Sequence, residues 1–341
     1  MMRTFLLSLA GVLWQSHVMT LTTVIRIVLW SGLLILQSSV MSAQEPGDPG
    51  TAGRDGFAIN EQPTRLVISH RGKPVGEFVF ADARILRPYF SNLHVPDGIQ
   101  VTRNHPPVAG SDAVDHDTMH PGVWLAFGDI NGEDFWRNKG RIEHLRFAAR
   151  PMARGEEVQF IELSRLITSS GEPMGDLVSR FHLKQITAGW LLSWNAELVA
   201  TERDLVFGDQ EEMGLGARLA TPLTENAGGR ITSSAGLNGA AATWGRQAAW
   251  CDYSGKIDGK VAGITIFPNP SNPQTCWWHN RNYGVFVANP FGKRAGFPTG
   301  QFVLKKGAKH HLNFDILLHS GTALPDLSAV AKSLAVSPPR D

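Results

Sequence analysis

The sequence predicts an all-β protein, one large β-sandwich followed by a short C-terminal helix. Three observations predict it. Two long stretches alternate apolar and polar residues with a period of two, the signature of half-buried strands. Turn formers are abundant, with 35 Gly and 20 Pro in 341 residues, which suits many short strands better than long helices. Only one segment, close to the C-terminus, carries a helical pattern.

The elements follow in chain order. Arg26 precedes an apolar run from Ile27 to Leu36, and Val40-Met41-Ser42-Ala43 closes it, the order of a secretory signal. Residues 1–43 are therefore expected to direct export to the periplasm or beyond, with Met19 as the expected initiator. The alternative is an uncleaved N-terminal anchor. Residues 44–60, which include EPGDPGTAGRD, are expected as a Pro/Gly linker. The sandwich is placed at 61–322. Leu66–His70, Gly76–Phe80 and Gly98–Thr102 are its first predicted strands, separated by turn residues. Val158–Ile167, Leu177–Ile186, Val261–Phe267 and Tyr283–Ala288 are others. In Trp190–Val199, Trp190, Leu192, Trp194, Ala196 and Leu198 take one face; Leu312, Phe314, Ile316 and Leu318 alternate in the same way. Val303–Asn313 is predicted to turn at Gly307. Residues 323–341 hold the helix, over Pro325–Ala335, and a tail. No spanning helix is expected after residue 44.

Bulk properties exclude some functions. A formal net charge of +1 and the lack of a basic run argue against a nucleic-acid partner. With Cys251 and Cys276 as the only cysteines, neither a disulfide framework nor a Cys-based zinc pattern is present. The two either pair or act as small buried hydrophobes.

Chemistry concentrates in three segments. Residues 104–140 gather His105, His116 and His120 among Asp112, Asp115, Asp117, Asp129, Glu133 and Asp134, a density that packing alone seldom needs. His116 and His120 have an H-x3-H spacing that suits a metal on a helix, but Pro121-Gly122 follows and no Glu lies between them, so no metal and no other cofactor is expected. Trp124, Phe127, Phe135 and Trp136 lie beside acids and amides such as Asp129 and Asn131. Aromatic faces with in-plane donors and acceptors are what a sugar requires. The second segment is GDQEEMGLGAR, from Gly208 to Arg218; in an extended chain only one of Glu211 and Glu212 could face a cleft. In the third, His279, Arg281 and Tyr283 alternate onto one side.

The ordered motifs PYFSNLHVPDG, TRNHPP, DHDTMHPGVWLAFGDINGEDFWR, FGDQEEMGLGAR, WCDYSG and WHNRNYGVFVANPFG resemble a bacterial family labelled methane oxygenase PmoA, over roughly Glu61 to Ser320. The resemblance implies a supersandwich similar to galactose mutarotase folds and carbohydrate-active enzymes. The label itself fits poorly, since a true methane mono-oxygenase subunit of that name spans the membrane several times. Many relatives carry a stretch like DHPHHRGLW where this chain has Asp115 to Trp124, so a His-Arg pair becomes His120-Pro121.

The expected function is thus an exported carbohydrate-active or carbohydrate-binding protein, its partner a saccharide or sugar derivative, its oligomeric state open. If catalytic, a mutarotase-, lyase- or hydrolase-type reaction would use Glu212 or Asp252 as base and His116 or His279 as acid, with His120 beside them. His105, Trp124, Asp129, Asn131, Trp136, Arg218, Arg281 and Tyr283 would bind substrate. Alternatives are a non-catalytic binding module and a metal-dependent oxygenase using His105, His116 and His120.

Overall fold

The alternating segments become the long strands of a two-sheet sandwich. The computed structural model describes residues 55–335, so the signal segment, Met19, most of the linker and the end of the tail lie outside the described residues. In chain order the strands are β1 (Phe57–Glu61), β2 (Arg65–His70), β3 (Lys73–Val79), β4 (Tyr89–Ser91), β5 (Val123–Phe127), β6 (Arg141–Phe147) and β7 (Met152–Arg154). Next come β8 (Glu157–Ile167), β9 (Pro173–Ile186), β10 (Gly189–Val199), β11 (Leu205–Phe207), β12 (Met213–Arg218) and β13 (Arg230–Ser233). A one-turn helix α1 (Ala240–Thr243) precedes β14 (Cys251–Ile257), β15 (Lys260–Pro268), β16 (Trp277–Asn280), β17 (Val285–Asn289), β18 (Phe302–Leu304), β19 (Lys309–Gly321) and helix α2 (Leu327–Ala335).

One sheet runs β1-β2-β3-β4-β5-β12-β17-β16; the other runs β13-β14-β15-β19-β10-β9-β8-β6, with β7 on β8. Neighbouring strands are antiparallel throughout. The inner faces share one core. Trp190, Leu192, Trp194, Ala196 and Leu198 meet it from β10, and Leu312, Phe314, Ile316 and Leu318 from β19, as their alternation predicts. Each sheet also buries a smaller apolar cluster on its outer face. On the second sheet, helix α2 covers Leu191, Trp250, Phe267 and Leu317 with Leu327. On the first, Tyr89, Trp124, Ala126, Val285 and Val287 pack with Trp136 under the chain that joins β4 to β5.

Three expectations change, and one open alternative is decided. The end of the expected linker is strand instead: residues 57–60, with Glu61, pair with β2, because Phe57 packs into the core and against His70 and Trp190. Gly98–Thr102 is a loop with isolated bridges only, His94 to Gln100 and Thr102 to Leu219. The chain does turn at Gly307 (φ 83°), but β18 pairs with β11 instead of returning along β19. Cys251 and Cys276 are both free and buried, which settles their alternative in favour of small hydrophobes. Among the described residues no helix is long and apolar enough to cross a membrane.

Candidate functional site

The register of four central strands determines which side chains share the outer face of the first sheet. Trp124 pairs with Gly216, Gly216 with Val287, and Val287 with His279, giving one row across β5, β12, β17 and β16. Arg218, opposite Val285, lies two residues along the same face. Gly216 is required here: a Cβ would stand 2.7 Å from Trp124 Cζ2, so the indole lies flat across the glycine.

Onto this floor folds the histidine-rich loop, held by two buried arginines. Arg103 donates from Nη1 to the carbonyls of Ala113 (2.7 Å) and Asp115 (2.6 Å), and from Nη2 to that of His120 (3.1 Å). Arg87 donates to the carbonyls of Met119 and Trp136 and to Asn138 Oδ1. These bonds satisfy loop carbonyls that no strand reaches. Burial, with the charge of Arg218 added, pulls Arg103 down to about 10; burial pulls Arg87 down to about 9.

The loop delivers His116 and His120 in a stack. Tyr283, His116, His120 and Trp124 follow one another at ring-centroid distances of 5.8, 5.0 and 5.1 Å, with interplanar angles of 11°, 28° and 14°. Trp136 meets Trp124 edge-on. Rings stacked face to face hold their nitrogens side by side and do not aim them at a common point, so the H-x3-H pair lacks the convergence a metal needs. His105 lies on the same outer face but outside the stack, edge-on to Tyr89, which pairs with Trp124, and 3.9 Å from Asp82. Among the described residues no group of three or more His, Cys, Asp and Glu is placed to hold a metal.

Beside the stack lies an acid–imidazole pair that sequence reasoning did not single out. Asp115 accepts two bonds from Arg218 (3.1 and 2.9 Å) and its Oδ2 lies 2.6 Å from His116 Nδ1. Burial pushes the Asp115 carboxyl up, but the Arg218 and His116 bonds and the nearby guanidinium charges outweigh it and hold it at about 2. His116 has φ 51°, left-handed backbone that a non-glycine residue adopts at a cost of about 1 kcal/mol. The His116 O that accepts from Met119 and His120 fixes this turn. With both ring faces covered and Nδ1 bound, the Nε2 edge is what the half-exposed imidazole offers.

Facing this pair across the sheet is a second charged group. Glu211 Oε1 accepts from Arg281 (2.9 Å), and Glu211 Oε2 lies 3.3 Å from His279 Nδ1 without the alignment of a hydrogen bond. Glu212 is bound by Arg137, which also donates to Asp134 at 3.0 Å. Both glutamates therefore reach the outer side, against the alternation expected of them. They lie in a bend before β12 begins, where the period of two does not apply. Burial raises the Glu212 carboxyl, partly offset by Arg137 and reinforced by Glu211. Burial and the charge of Arg281 lower His279 to about 4, so its ring is neutral near pH 7. Burial, then Arg218 and His116, put His120 well below the usual histidine value.

The structure thus brings together His116, His120, Glu212, His279, Trp124, Trp136, Arg218, Arg281 and Tyr283 on one sheet face. It does not bring in Asp252, Asp129 or Asn131. Asp252, fully buried, accepts from Thr265 (2.8 Å) and Ser254 and pairs with His319 at 2.7 Å. Its neighbours in β14, Cys251 and Tyr253, face the core, so Asp252 projects from the far face of the opposite sheet. Asp129 and Asn131 build a turn: Asp129 Oδ1 accepts from Gly132, and Asn131 bonds the backbone of Asp204 and Val206. Trp124 and Trp136 support the floor from beneath and have no exposed face, since His120 and the loop cover them. Arg87, Arg103, Asp115, Arg137 and Glu211 were missed as site residues. For Asp115, the density of acids around His116 was the available signal.

A model of a family of unknown function, DUF6807, matches residues 65–333, so the chain belongs to that family. The methane-oxygenase label read from the motifs is not what this match reports. No curated protein matches the sequence. Among solved structures, the chain is similar to a galactose 1-epimerase from Lactobacillus acidophilus NCFM, with 10% identity over 78% of this chain and 98% of that one and a TM-score of 0.39. It is also similar to a galactose mutarotase-like protein from Lactobacillus casei ATCC 334, with 11% identity over 77% and 100% and a TM-score of 0.32. A third is a glycoside hydrolase family 97 enzyme from Pseudoalteromonas sp. strain K8, with 13% identity over 78% of this chain and 34% of that one and a TM-score of 0.32.

Proposed function

We propose that this member of the DUF6807 family binds a saccharide on the outer face of its first sheet and acts on it by acid–base chemistry. One observation carries the reading: the Asp115–His116 pair and the Glu211–Glu212–His279 group occupy the same face, above a rigid buried aromatic floor. An acid and a base set apart by environment are what proton transfer to and from a sugar requires. Glu212, its carboxyl raised by burial and held in place by Arg137, suits the base that takes a hydroxyl proton. His116, its Nδ1 held by Asp115, suits the group that gives a proton from Nε2 to a ring or leaving oxygen. The neutral His279 ring orients hydroxyls as a hydrogen-bond partner. Export by residues 1–43, and a folded body continuous from the first strand to β19, belong to the same proposal; amino-terminal sequencing of secreted protein tests the former.

The chemistry is tested by incubating purified protein with a panel of saccharides and following anomer exchange and product release by NMR. Wild type should convert at least one sugar, with His116→Ala and Glu212→Gln each reducing the rate by about 10²-fold or more while binding persists. If the wild type binds sugar and turns nothing over, the catalytic part falls and a binding module remains. If no sugar binds, the whole reading falls.

A further inference from the structure

We infer that the protein carries a second small-molecule site, separate from the saccharide face, in which a glutamate-backed histidine receives the hydroxyl of an uncharged aromatic alcohol of the phenol class. The site lies where β6, at the edge of the second sheet, meets the chain joining β3 to β4. A cavity of about 340 Å³ opens there, lined by Pro63, Phe80, Ile85, Leu86, Ile142 and His144. That volume lies within the ~300–1,000 Å³ range of small-molecule sites.

A charged group stands behind this wall, inside the sandwich. Strand β8 turns Val158, Phe160, Glu162, Ser164 and Leu166 to one side; Val158, Phe160 and Leu166 are core residues, so Glu162 faces inward with them. A glutamate is almost never fully buried unless it is paired. Glu162, 1% exposed, accepts at Oε1 from Ser164 Oγ and lies 2.9 Å from His144 Nδ1. His144 is opposite Ser164 in the register and so points to the same inner side. A carboxylate only accepts, so Nδ1 is the donor and Nε2 of the neutral ring is left as an acceptor. Nε2 has no partner among the described residues and is open to solvent, the His144 side chain being 15% exposed. The rings of Phe80 and Phe147, 4.6 and 4.8 Å from the imidazole, fix its plane.

The rest of the lining selects the ligand. The guanidinium groups of Arg87 and Arg141 are matched by the carboxylates of Asp82 and Glu143, so no net field draws in an anion or a cation. These groups are also engaged. Asp82 accepts from Tyr89 Oη (2.6 Å) and from the Arg84 and Ile85 backbone, Arg87 donates to loop carbonyls, and Arg141 Nε donates to Glu143 at 2.7 Å. A free sugar needs many in-plane partners, whereas most of these walls are apolar. A phenol needs apolar walls for its ring and one acceptor for its O–H, and its acidic hydroxyl is a stronger donor than an aliphatic one. Phe80, Ile85, Leu86 and Ile142 supply the walls and His144 Nε2 the acceptor.

The test titrates the intact protein with 2-naphthol, with its methyl ether, which lacks the O–H, and with 2-naphthoate, by calorimetry and two-dimensional amide NMR. Wild type should bind 2-naphthol about tenfold or more tighter than either analogue, with shifts concentrated on Phe80, Leu86, Ile142 and His144 and none at His116 or His279. His144→Phe, which keeps a ring between Phe80 and Phe147, should reduce 2-naphthol binding to the level of the ether. Glu162→Gln should weaken it about fivefold or more and leave ether binding within twofold, because an amide that donates to Nδ1 turns Nε2 into a donor. Far-UV circular dichroism certifies that each variant is folded, and the wild-type comparison of naphthol with ether stands without any variant. Equal affinity for naphthol and ether, tighter binding of naphthoate, shifts centred on another face, or no binding refutes the site, as does undiminished 2-naphthol binding by folded His144→Phe. None of these outcomes bears on the saccharide reading, which concerns the outer face.

Discussion

Replacing Asp115 with Asn probes the support beneath the proposed acid. Arg218, 1% exposed, gives both Nη groups to Asp115, and Arg103, equally buried, has Nη1 3.7 Å from it. The substitution leaves two buried guanidinium ions facing a neutral amide and each other. Breaking a fully buried pair costs ~3–5 kcal/mol. The Asp115 side chain is 39% exposed, so solvent screening reduces the loss, and about 2 kcal/mol is expected. The pH dependence has a definite sign. Because the carboxyl falls from 3.8 to about 2 on folding, it adds stability that is complete above the unfolded value and is lost as pH falls through the folded one. Urea unfolding of wild type and Asp115→Asn should therefore differ by a constant amount from neutral pH down to roughly pH 5, and by progressively less below it. A difference under ~0.5 kcal/mol at pH 7, the scatter of ordinary surface substitutions, or one that fails to shrink in acid, would refute this role of Asp115.

Three further outcomes follow from the same geometry. Gly216→Ala places a Cβ 2.7 Å from Trp124 Cζ2 and 2.8 Å from Cε2; the indole must move, at a cost of about 1–3 kcal/mol, and the near-ultraviolet circular dichroism of the ring stack should change. His279, lowered to about 4, binds its proton less readily folded than unfolded; it makes stability fall as pH drops from the ordinary histidine value toward about 4, and His279→Gln should flatten that slope. NMR titration of its ring should give a midpoint well below that of a free histidine. Cys251 and Cys276 are buried thiols whose burial raises their pKa, so a thiol reagent should label neither in native protein and both in denaturant.

The long strands were legible because one face of each is buried against the opposite sheet. β10 and β19 alternate cleanly, and their apolar residues are the ones found in the core. Short elements were not. β1 has only Phe57 fully buried, beside a polar stretch that reads as linker, and Gly98–Thr102 is strand-like in composition but is held as a loop by side-chain bonds such as Thr102 Oγ1 accepting from Leu93 N. The site was half legible. His116, His120, Glu212, His279 and Arg281 come together because β12, β17 and β16 are neighbours and the β4–β5 loop folds over them. Asp115 acquires its role only through Arg218, more than 100 positions away in the chain, and no local pattern records such a contact. Asp252 stands apart from the other candidates because its strand, β14, belongs to the second sheet, where its partners Thr265 and His319 sit on the neighbouring strands β15 and β19; strand membership of this kind has no local signature in the sequence.

The most direct measurement is a two-dimensional amide NMR titration of the assigned protein with the tightest-binding saccharide of a glycan panel. Shifts should concentrate on His116, Glu211, Glu212, His279, Arg281 and Tyr283, and be absent around Asp252 and His319 on the opposite sheet. Shifts centred on that opposite face, or no saccharide-dependent shift at all, would contradict a sugar site on the first sheet.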